Sequence, residues 1–150
     1  MGKALIAVGT FLSLCMLVFG SVVYFTRKED TYAVDSALAE RIARAVVSAD
    51  QTGDPVDLRT VTDFDFDEVT IFKPGTPRSA VSAQLGFPFK GELRYTAESS
   101  ELLVFTNNRR FVRFADYRGR GAFVGLQRPF ATLSANDAVF RVDGGLIRRG

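Results

Sequence analysis

A β-hairpin is encoded by the stretch ELLVFTNNRRFVRFADY, residues 101–117. Residues 101–106 and 109–117 are rich in the β-branched and aromatic side chains that are typical of strands. Asn107 and Asn108 lie between them and fit a two-residue turn, because asparagine tolerates the positive φ angles that such turns require. The stretch therefore predicts an antiparallel hairpin and indicates that antiparallel strands dominate the C-terminal half of the chain.

Two helices are predicted before this hairpin. Over residues 31–49 apolar side chains recur at spacings of three and four, which predicts an amphipathic helix with Asp30 or Thr31 as its N-cap. A second, shorter helix is predicted between Thr76 and Gly86. Threonine suits a helix N-cap, and glycine suits the residue that follows the last turn.

Further strands are predicted around the shorter helix. Residues 56–61, 92–97 and 138–142 are strand-like, and so are residues 64–72. In the last of these the apolar alternation changes phase at Asp67, which indicates either a bulge or a strand that begins there. The order of elements predicts an α+β fold in which two helices pack on a mainly antiparallel sheet.

The N-terminal residues contrast with this domain. Residues 4–25 carry no charged side chain, and a helix of that length rises about 33 Å, enough to cross a hydrocarbon core of roughly 30 Å. We therefore expect a retained transmembrane anchor in residues 1–28 and one α+β domain in residues 29–150. A cleaved signal peptide stays an alternative, although no small-x-small cleavage site follows. A lipoprotein anchored at Cys15 is another, although Leu14 stands where a small residue is expected.

The short basic head before the apolar segment is typical of a signal anchor. It predicts a single-pass protein of a bacterial inner membrane, with residues 29–150 in the periplasm or outside the cell. Lys3 and the terminal amine nearly balance the two basic residues that follow the segment, so the positive-inside rule leaves the orientation open. Gly9 and Ser13 form a small-xxx-small pair that would let two such helices approach. A homodimer therefore stays open beside ordinary membrane-helix composition.

The residue types limit the chemistry. The chain has no histidine, which excludes Ser-His-Asp catalysis, Cys-His catalysis and histidine-ligated zinc. Its single cysteine is Cys15, so residues 29–150 cannot form an internal disulfide. The sequence has neither a nucleophile elbow nor a phosphate-binding loop. We therefore expect no enzyme, no cofactor and no metal, with a carboxylate-dependent enzyme as the least favoured alternative.

Acidic residues cluster near the middle of the chain. Asp63, Asp65 and Asp67 would share one face of an extended segment. Oxygen clusters suit calcium, but an EF-hand loop needs glycine at its sixth position and glutamate at its twelfth. A loop that begins at Asp63 has Glu68 and Pro74 there. The cluster is therefore interpreted as a contact surface rather than a metal site.

Basic residues interleave with aromatic ones in and after the predicted hairpin. The basic cluster consists of Arg109, Arg110, Arg113, Arg118 and Arg120. Such a pattern suits single-stranded nucleic acid or anionic lipid headgroups, and strand alternation alone also produces it with the arginines in solvent. A near-neutral domain beside a membrane is a poor nucleic-acid binder. The cluster is therefore interpreted as a surface for another protein.

Charge is divided unevenly along the chain. Residues 29–70 carry eleven Asp and Glu against three Arg, a net charge of −8, whereas residues 71–150 carry thirteen Lys and Arg against six Asp and Glu, a net charge of +7. The two segments are expected either to attract each other within the fold or to form a polarised surface for a charged partner.

One sequence pattern resembles a known group of proteins. It comprises Phe66, Asp67, Val69, Ile71, Phe72, Pro74, Thr76, Leu85 and Gly86. This pattern is similar to one in small uncharacterised bacterial envelope proteins, many of which look like lipoproteins, and it covers about half of the chain. The sequence departs from them in lacking a proper lipobox and in having phenylalanine where they often have tryptophan at the first position. The resemblance implies a fold and an envelope location and supplies no catalytic residue.

These observations together predict a membrane-anchored, extracytoplasmic domain that binds another protein. One concrete version is an immunity or inhibitor protein that protects the envelope from a toxin. The alternative is an envelope structural or assembly factor. An immunity protein should bind one toxin tightly, whereas an assembly factor should co-purify with a multiprotein complex.

Overall fold

The structure is a computed structural model, and it describes residues 32–91, 100–126 and 129–150. These residues form an α+β domain with three helices and two separate four-stranded sheets. The predicted arrangement of two helices on a single sheet is therefore wrong. Two strands of the second sheet are only two residues long, too short to carry a recognisable sequence pattern.

No helix within the described ranges is long and apolar enough to cross a membrane. The longest of them is amphipathic and carries Glu40, Arg44 and Asp50 along its length. The predicted membrane-spanning segment, residues 4–25, lies outside the described residues. A single-pass inner-membrane protein therefore finds no support in this structure. That prediction, and the fold class that included a transmembrane helix, are withdrawn.

Helix α1 (Ser36–Thr52) is the helix that the apolar periodicity predicts. It begins at Ser36 because the Asp35 carboxylate accepts a 2.9 Å hydrogen bond from the backbone N–H of Leu38 and so provides the N-cap. It ends at Thr52 and is followed by the C-cap residue Gly53, whose φ of 77° is left-handed. The predicted caps Asp30 and Thr31 lie outside the described residues. The buried face of the helix consists of Leu38, Ile42, Val46 and Ala49.

The first sheet is antiparallel throughout and has the strand order β4-β3-β2-β6. Its strands are β2 (Glu68–Phe72), β3 (Glu101–Asn107), β4 (Arg110–Tyr117) and β6 (Phe130–Ser134). Side chains of β2 and β3 are buried on both faces, which explains their nearly continuous apolar runs. One face packs into the core with α1. The beginning of β2 at Glu68 confirms that the strand starts near the change of phase.

The opposite face of this sheet is covered by α3 (Arg78–Leu85) and the residues that follow it. Gln84 donates a 3.3 Å hydrogen bond to the Thr132 hydroxyl, and the Phe89 ring packs edge-on against the ring of Phe114, 5.2 Å away. Helix α3 ends at Leu85, and Gly86, with a φ of 74°, is its C-cap residue, as predicted. Pro77 rather than Thr76 is its N-cap residue.

The second sheet has the strand order β1-β7-β8-β5. Its strands are β1 (Val56–Asp57), β5 (Ala122–Phe123), β7 (Val139–Asp143) and β8 (Leu146–Arg149). Its β5 and β8 run parallel, and its other neighbours are antiparallel. One face joins the core around α1 through Phe140, Val142 and Ile147.

The predicted strand at residues 56–61 is only partly present. After β1 the Asp57 carboxylate accepts a 2.9 Å hydrogen bond from the backbone N–H of Arg59 and caps the one-turn helix α2 (Leu58–Val61). A strong side-chain cap thus replaces the remainder of the strand with a helix. The predicted strand at residues 92–97 lies outside the described residues.

Candidate functional site

The β3–β4 hairpin turns through Asn108 and Arg109. Both have positive φ angles, 50° and 60°, which is the pattern of a type I′ turn. The turn therefore lies one residue later than predicted, because Asn107 still belongs to β3 and pairs with Arg110. The register of the two strands shifts after Phe105, so a bulge accompanies the turn.

A second hairpin in the same domain shows what such a turn usually contains. The β7–β8 hairpin turns through Gly144 and Gly145, with φ angles of 55° and 79°. Glycine adopts these angles without a steric cost, whereas other L-residues lose roughly 1–2 kcal/mol each in the left-handed region. Arg109 occupies the position that Gly145 has in the other hairpin. It is therefore an unfavourable residue for the backbone conformation that it adopts.

The predicted acidic cluster lies against this turn. The Asp67 carboxylate accepts a 2.7 Å hydrogen bond from the backbone N–H of Asn108. The Asn107 side-chain amide donates to the backbone carbonyl of Asp65 at 3.4 Å, and the backbone N–H of Asp67 donates to Thr106 at 3.0 Å. The structure thus brings two of the predicted acidic residues to the hairpin, where they fix its end to the segment before β2.

The side chains of Arg109 and Arg110 project from the end of the hairpin into solvent. Across the described ranges, neither guanidinium has an ion pair or a hydrogen bond. Asn108, Arg109 and Arg110 are called the hairpin tip below. The tip carries two guanidiniums without an ion pair to any described residue, and the Asp67 carboxylate lies against its backbone.

Two of the other predicted arginines form ion pairs within the fold. Arg113 forms a 2.9 Å ion pair with Asp35, and its guanidinium lies 5.5 Å from the centre of the Phe64 ring. Arg118 forms a 2.6 Å ion pair with Asp116. These two side chains are therefore less available to a partner than those of the hairpin tip.

The Asp35 carboxylate has a double role. Burial opposes its ionisation, but the backbone N–H of Leu38 and the guanidinium of Arg113 outweigh that effect and lower the pKa of Asp35 below its usual value. Asp35 therefore caps α1 as an anion and ties the start of that helix to β4. Its pair with Arg113 is the only ion pair between described residues that joins the acidic segment 29–70 to the basic segment 71–150.

The remaining predicted site residues lie apart from the tip contacts. Asp63 forms a 3.0 Å ion pair with Arg41 on α1. The side chain of Arg120 is exposed, and its backbone carbonyl accepts a 2.6 Å hydrogen bond from the Tyr117 hydroxyl. Burial, and after it the negative charge of Glu101, raise the pKa of Tyr117 to about 12. Among the described residues no three carboxylate or thiol groups are placed to hold a metal ion.

A cavity of about 510 Å³ lies between the start of α1 and β4. Its lining consists of Ala33, Val34, Ser36, Ala39, Glu40, Asp116 and Arg118. This volume falls in the range of ligand sites. Its charged residues are already paired, however: Asp116 with Arg118 at 2.6 Å, and Glu40 with Arg44 at 3.6 Å. The charged groups that line the cavity are therefore already engaged within the fold.

Comparison with known proteins found no relative. No protein-family model matches the chain, and neither a curated protein nor a solved structure matches it. The resemblance to small envelope proteins therefore stays a prediction.

One buried polar cluster was missed by the sequence reasoning. Lys73, just after β2, forms a 2.8 Å ion pair with Glu101 at the start of β3. The other Glu101 oxygen accepts a 3.2 Å hydrogen bond from the backbone N–H of Phe123, and Lys73 also donates to the Phe123 carbonyl. Because Phe123 belongs to the second sheet, this cluster joins the two sheets. The one sequence signal was a glutamate that opens an otherwise apolar strand.

Proposed function

We propose that this domain binds another protein, and that its hairpin tip contacts an acidic surface of that partner. The observation that carries the proposal is the left-handed backbone of Arg109, with a φ of 60°, at an exposed position where glycine would be unstrained. Residues that keep a strained backbone conformation cluster at binding and active sites. The long, charged side chain of Arg109 is therefore explained by binding rather than by the stability of the fold.

The tip suits binding because its geometry is fixed before a partner arrives. A two-residue turn leaves few conformations, and the Asp67 carboxylate holds the N–H of Asn108 at 2.7 Å. A preorganised loop loses less conformational entropy on association than a flexible one. Ordering of the turn therefore subtracts little from the free energy of binding.

Charge supports an acidic partner. Arg109 and Arg110 have no ion pair in the described part of the chain, so a carboxylate surface could approach them without displacing an internal acid. Guanidinium groups bind carboxylates through paired, charge-assisted hydrogen bonds. Asp65 is exposed at the base of the tip. It would repel a uniformly acidic surface and so restrict the partner to one that places a donor there.

An inhibitor or immunity protein that occupies one toxin is the concrete form of this proposal. A rigid hairpin tip that meets an acidic surface can block that surface without any chemistry of its own. An assembly factor would use the same contact within a larger complex. The stoichiometry of the captured complex separates the two forms, because an inhibitor should form a one-to-one complex with its toxin.

The test compares two exposed arginines. The full chain, as wild type, Arg110→Gln and Arg120→Gln, is used to capture partners from its own cells, and association with the captured partner is measured at two salt concentrations. Both variants lose one positive charge, but only Arg110 lies in the tip. We expect the association rate to fall roughly three- to tenfold for Arg110→Gln alone. The wild-type rate should fall as salt shortens the Debye length from about 10 Å at 0.1 M to about 3 Å at 1 M.

Equal effects of the two variants would overturn the proposal, and so would a wild-type rate that does not respond to salt. A captured one-to-one complex supports the inhibitor form. A multiprotein complex replaces it with the assembly factor. Arg113 is not included in the test, because its substitution would also break the ion pair with Asp35.

A further inference from the structure

Two arginines face each other on the second sheet. Arg141 of β7 is the direct cross-strand partner of Arg148 of β8, and both side chains are exposed. Directly opposed side chains on an antiparallel pair have Cβ atoms about 5 Å apart, and like charges placed in this way destabilise the sheet. Arg141 and Arg148 are called the arginine pair below.

The carboxylates nearest in the strand order do not neutralise this pair. Asp57 on β1 is held by Arg59 at 2.6 Å, and Asp137 before β7 is held by Arg149 at 2.6 Å. Asp143 is exposed and lies two residues along β7 on the same face, without an ion pair within the described ranges. Neither member of the arginine pair has an ion pair or a hydrogen bond there. The local balance is two cations against one carboxylate.

An apolar side chain lies beside the arginine pair. Leu146 is the β8 residue two positions before Arg148, so it lies on the same face, and it is 38% exposed. Among the described residues, Leu146 and Val47 are the large apolar side chains with this degree of exposure. The opposite face of the same strands is buried in the core. The outer face therefore combines uncompensated cations with an accessible apolar residue.

We propose that this outer face is a second docking surface, which takes a short acidic and apolar segment of a protein partner. One carboxylate of that segment lies between Arg141 and Arg148 and bonds to both guanidiniums, and an apolar side chain beside it packs on Leu146. The proposal goes beyond the function assigned to the hairpin tip and does not depend on it.

Charge complementarity is the argument for this occupant. A carboxylate between the two guanidiniums forms charge-assisted hydrogen bonds with both and removes their mutual repulsion. Binding therefore gains the electrostatic free energy that the unbound sheet loses. Asp143 on the same face works against a long polyanion such as a nucleic acid. Leu146 gives no advantage to a free inorganic anion, so an acidic peptide with an apolar residue fits this surface best.

The test uses a defined peptide and the full chain. The probe is acetyl-Glu-Glu-Leu-Glu-amide, and the matched control is acetyl-Gln-Gln-Leu-Gln-amide. Titrations follow the arginine Nε–H signals and the Leu146 methyl signals by NMR at low salt, for wild type, Arg141→Gln, Arg148→Gln and Arg120→Gln. Inorganic phosphate is titrated separately.

We expect the acidic probe to shift the signals of Arg141, Arg148 and Leu146, and the uncharged control to leave them in place. Loss of either arginine should weaken the probe about tenfold, the effect of one charge-assisted hydrogen bond. Arg120→Gln should bind as wild type does. In the absence of probe, Arg148→Gln should raise the melting temperature, because the cross-strand repulsion is gone.

Equal binding of the two peptides would overturn the proposal, as would phosphate binding as tight as that of the acidic probe. Shifts confined to Arg109 and Arg110 would also overturn it, and would point to the hairpin tip instead. A melting temperature lowered by both Arg141→Gln and Arg148→Gln would mean that the two arginines stabilise the sheet, which contradicts the repulsion on which the proposal rests.

Discussion

The Asp67 carboxylate accepts a 2.7 Å hydrogen bond from the backbone N–H of Asn108, which fixes the turn of the β3–β4 hairpin to the residue before β2. The contact joins an acidic cluster and a basic cluster that lie about forty residues apart in the sequence. It uses the acidic residue to hold the turn and leaves the guanidiniums of Arg109 and Arg110 free. The hairpin tip is therefore held in place by a hydrogen bond to its backbone rather than by a salt bridge to its arginines.

Removal of the Asp67 carboxylate should loosen the tip. Asp67→Ala should lower the free energy of unfolding by about 1 kcal/mol, the net contribution of one hydrogen bond to stability. It should also raise the amide exchange rate of Asn108. Asp65→Ala is the matched control, because it removes the same charge but the Asp65 contact to Asn107 uses the backbone carbonyl. Equal effects of the two substitutions on denaturant unfolding would show that net charge, not the hydrogen bond, acts on the turn.

The Lys73–Glu101 pair should be a strong determinant of stability. The two side chains are 16% and 7% exposed, and removal of one partner leaves a charge in the interior, at a cost of about 3–5 kcal/mol. Lys73→Met and Glu101→Gln should each destabilise the domain strongly in denaturant unfolding. The double substitution should cost less than the sum of the two. An additive double mutant would mean that the pair is not coupled. Arg149→Met, at the exposed pair with Asp137, should change stability little.

Stability should fall at alkaline pH through Tyr117. Its pKa is raised to about 12 in the folded protein, from 10.0. The folded state therefore holds the phenolic proton more tightly than the unfolded state. This contribution is fully present below pH 10 and is lost between pH 10 and 12, roughly 2–3 kcal/mol in all. Denaturant unfolding of wild type and Tyr117→Phe across this range should give a steeper loss for wild type. Parallel curves would exclude Tyr117 as the source.

The contribution of the Asp35–Arg113 pair to stability should be lost at acidic pH. The pKa of Asp35 is below its model-compound value of 3.8 in the folded state, so its contribution to stability is present above that value. It is lost as the pH falls through the folded pKa. Arg113→Met should raise the pKa of Asp35, measured by NMR titration of its carboxyl carbon, and should cost about 1 kcal/mol of stability. An unchanged titration would show that the Leu38 N–H and the charge of Arg41 keep the pKa low without Arg113.

Elements with strong local patterns could be predicted from the sequence. The spacing of Leu38, Ile42 and Val46 predicted α1, and the β-branched and aromatic residues on both sides of the two asparagines predicted the β3–β4 hairpin. The turn was misplaced by one residue because the bulge after Phe105 depends on the pairing of two strands. Strand β5, two residues long, is held by a distant parallel strand, and so little local pattern marked it.

The site could be predicted only in part, for a related reason. Arginines interleaved with aromatic residues indicated a basic surface. The sequence does not show which of these arginines form ion pairs within the fold. Arg113 meets Asp35 across 78 positions, and Asp67 meets Asn108 across 41. These contacts depend on how the sheet and α1 pack. They reduce the predicted cluster to Arg109 and Arg110 at the tip, with Arg120 exposed outside it.

The most direct test of the hairpin tip separates stability from binding at Arg109. Arg109→Gly relieves the left-handed strain and should raise the free energy of unfolding by about 1 kcal/mol, while it weakens association with the captured partner. Arg109→Lys keeps both the charge and the strain, so it should leave the free energy of unfolding unchanged and retain most of the binding. The measurement is denaturant unfolding and association kinetics of both variants beside wild type. A more stable Arg109→Gly that binds as tightly as wild type would contradict the account, and so would one that is less stable.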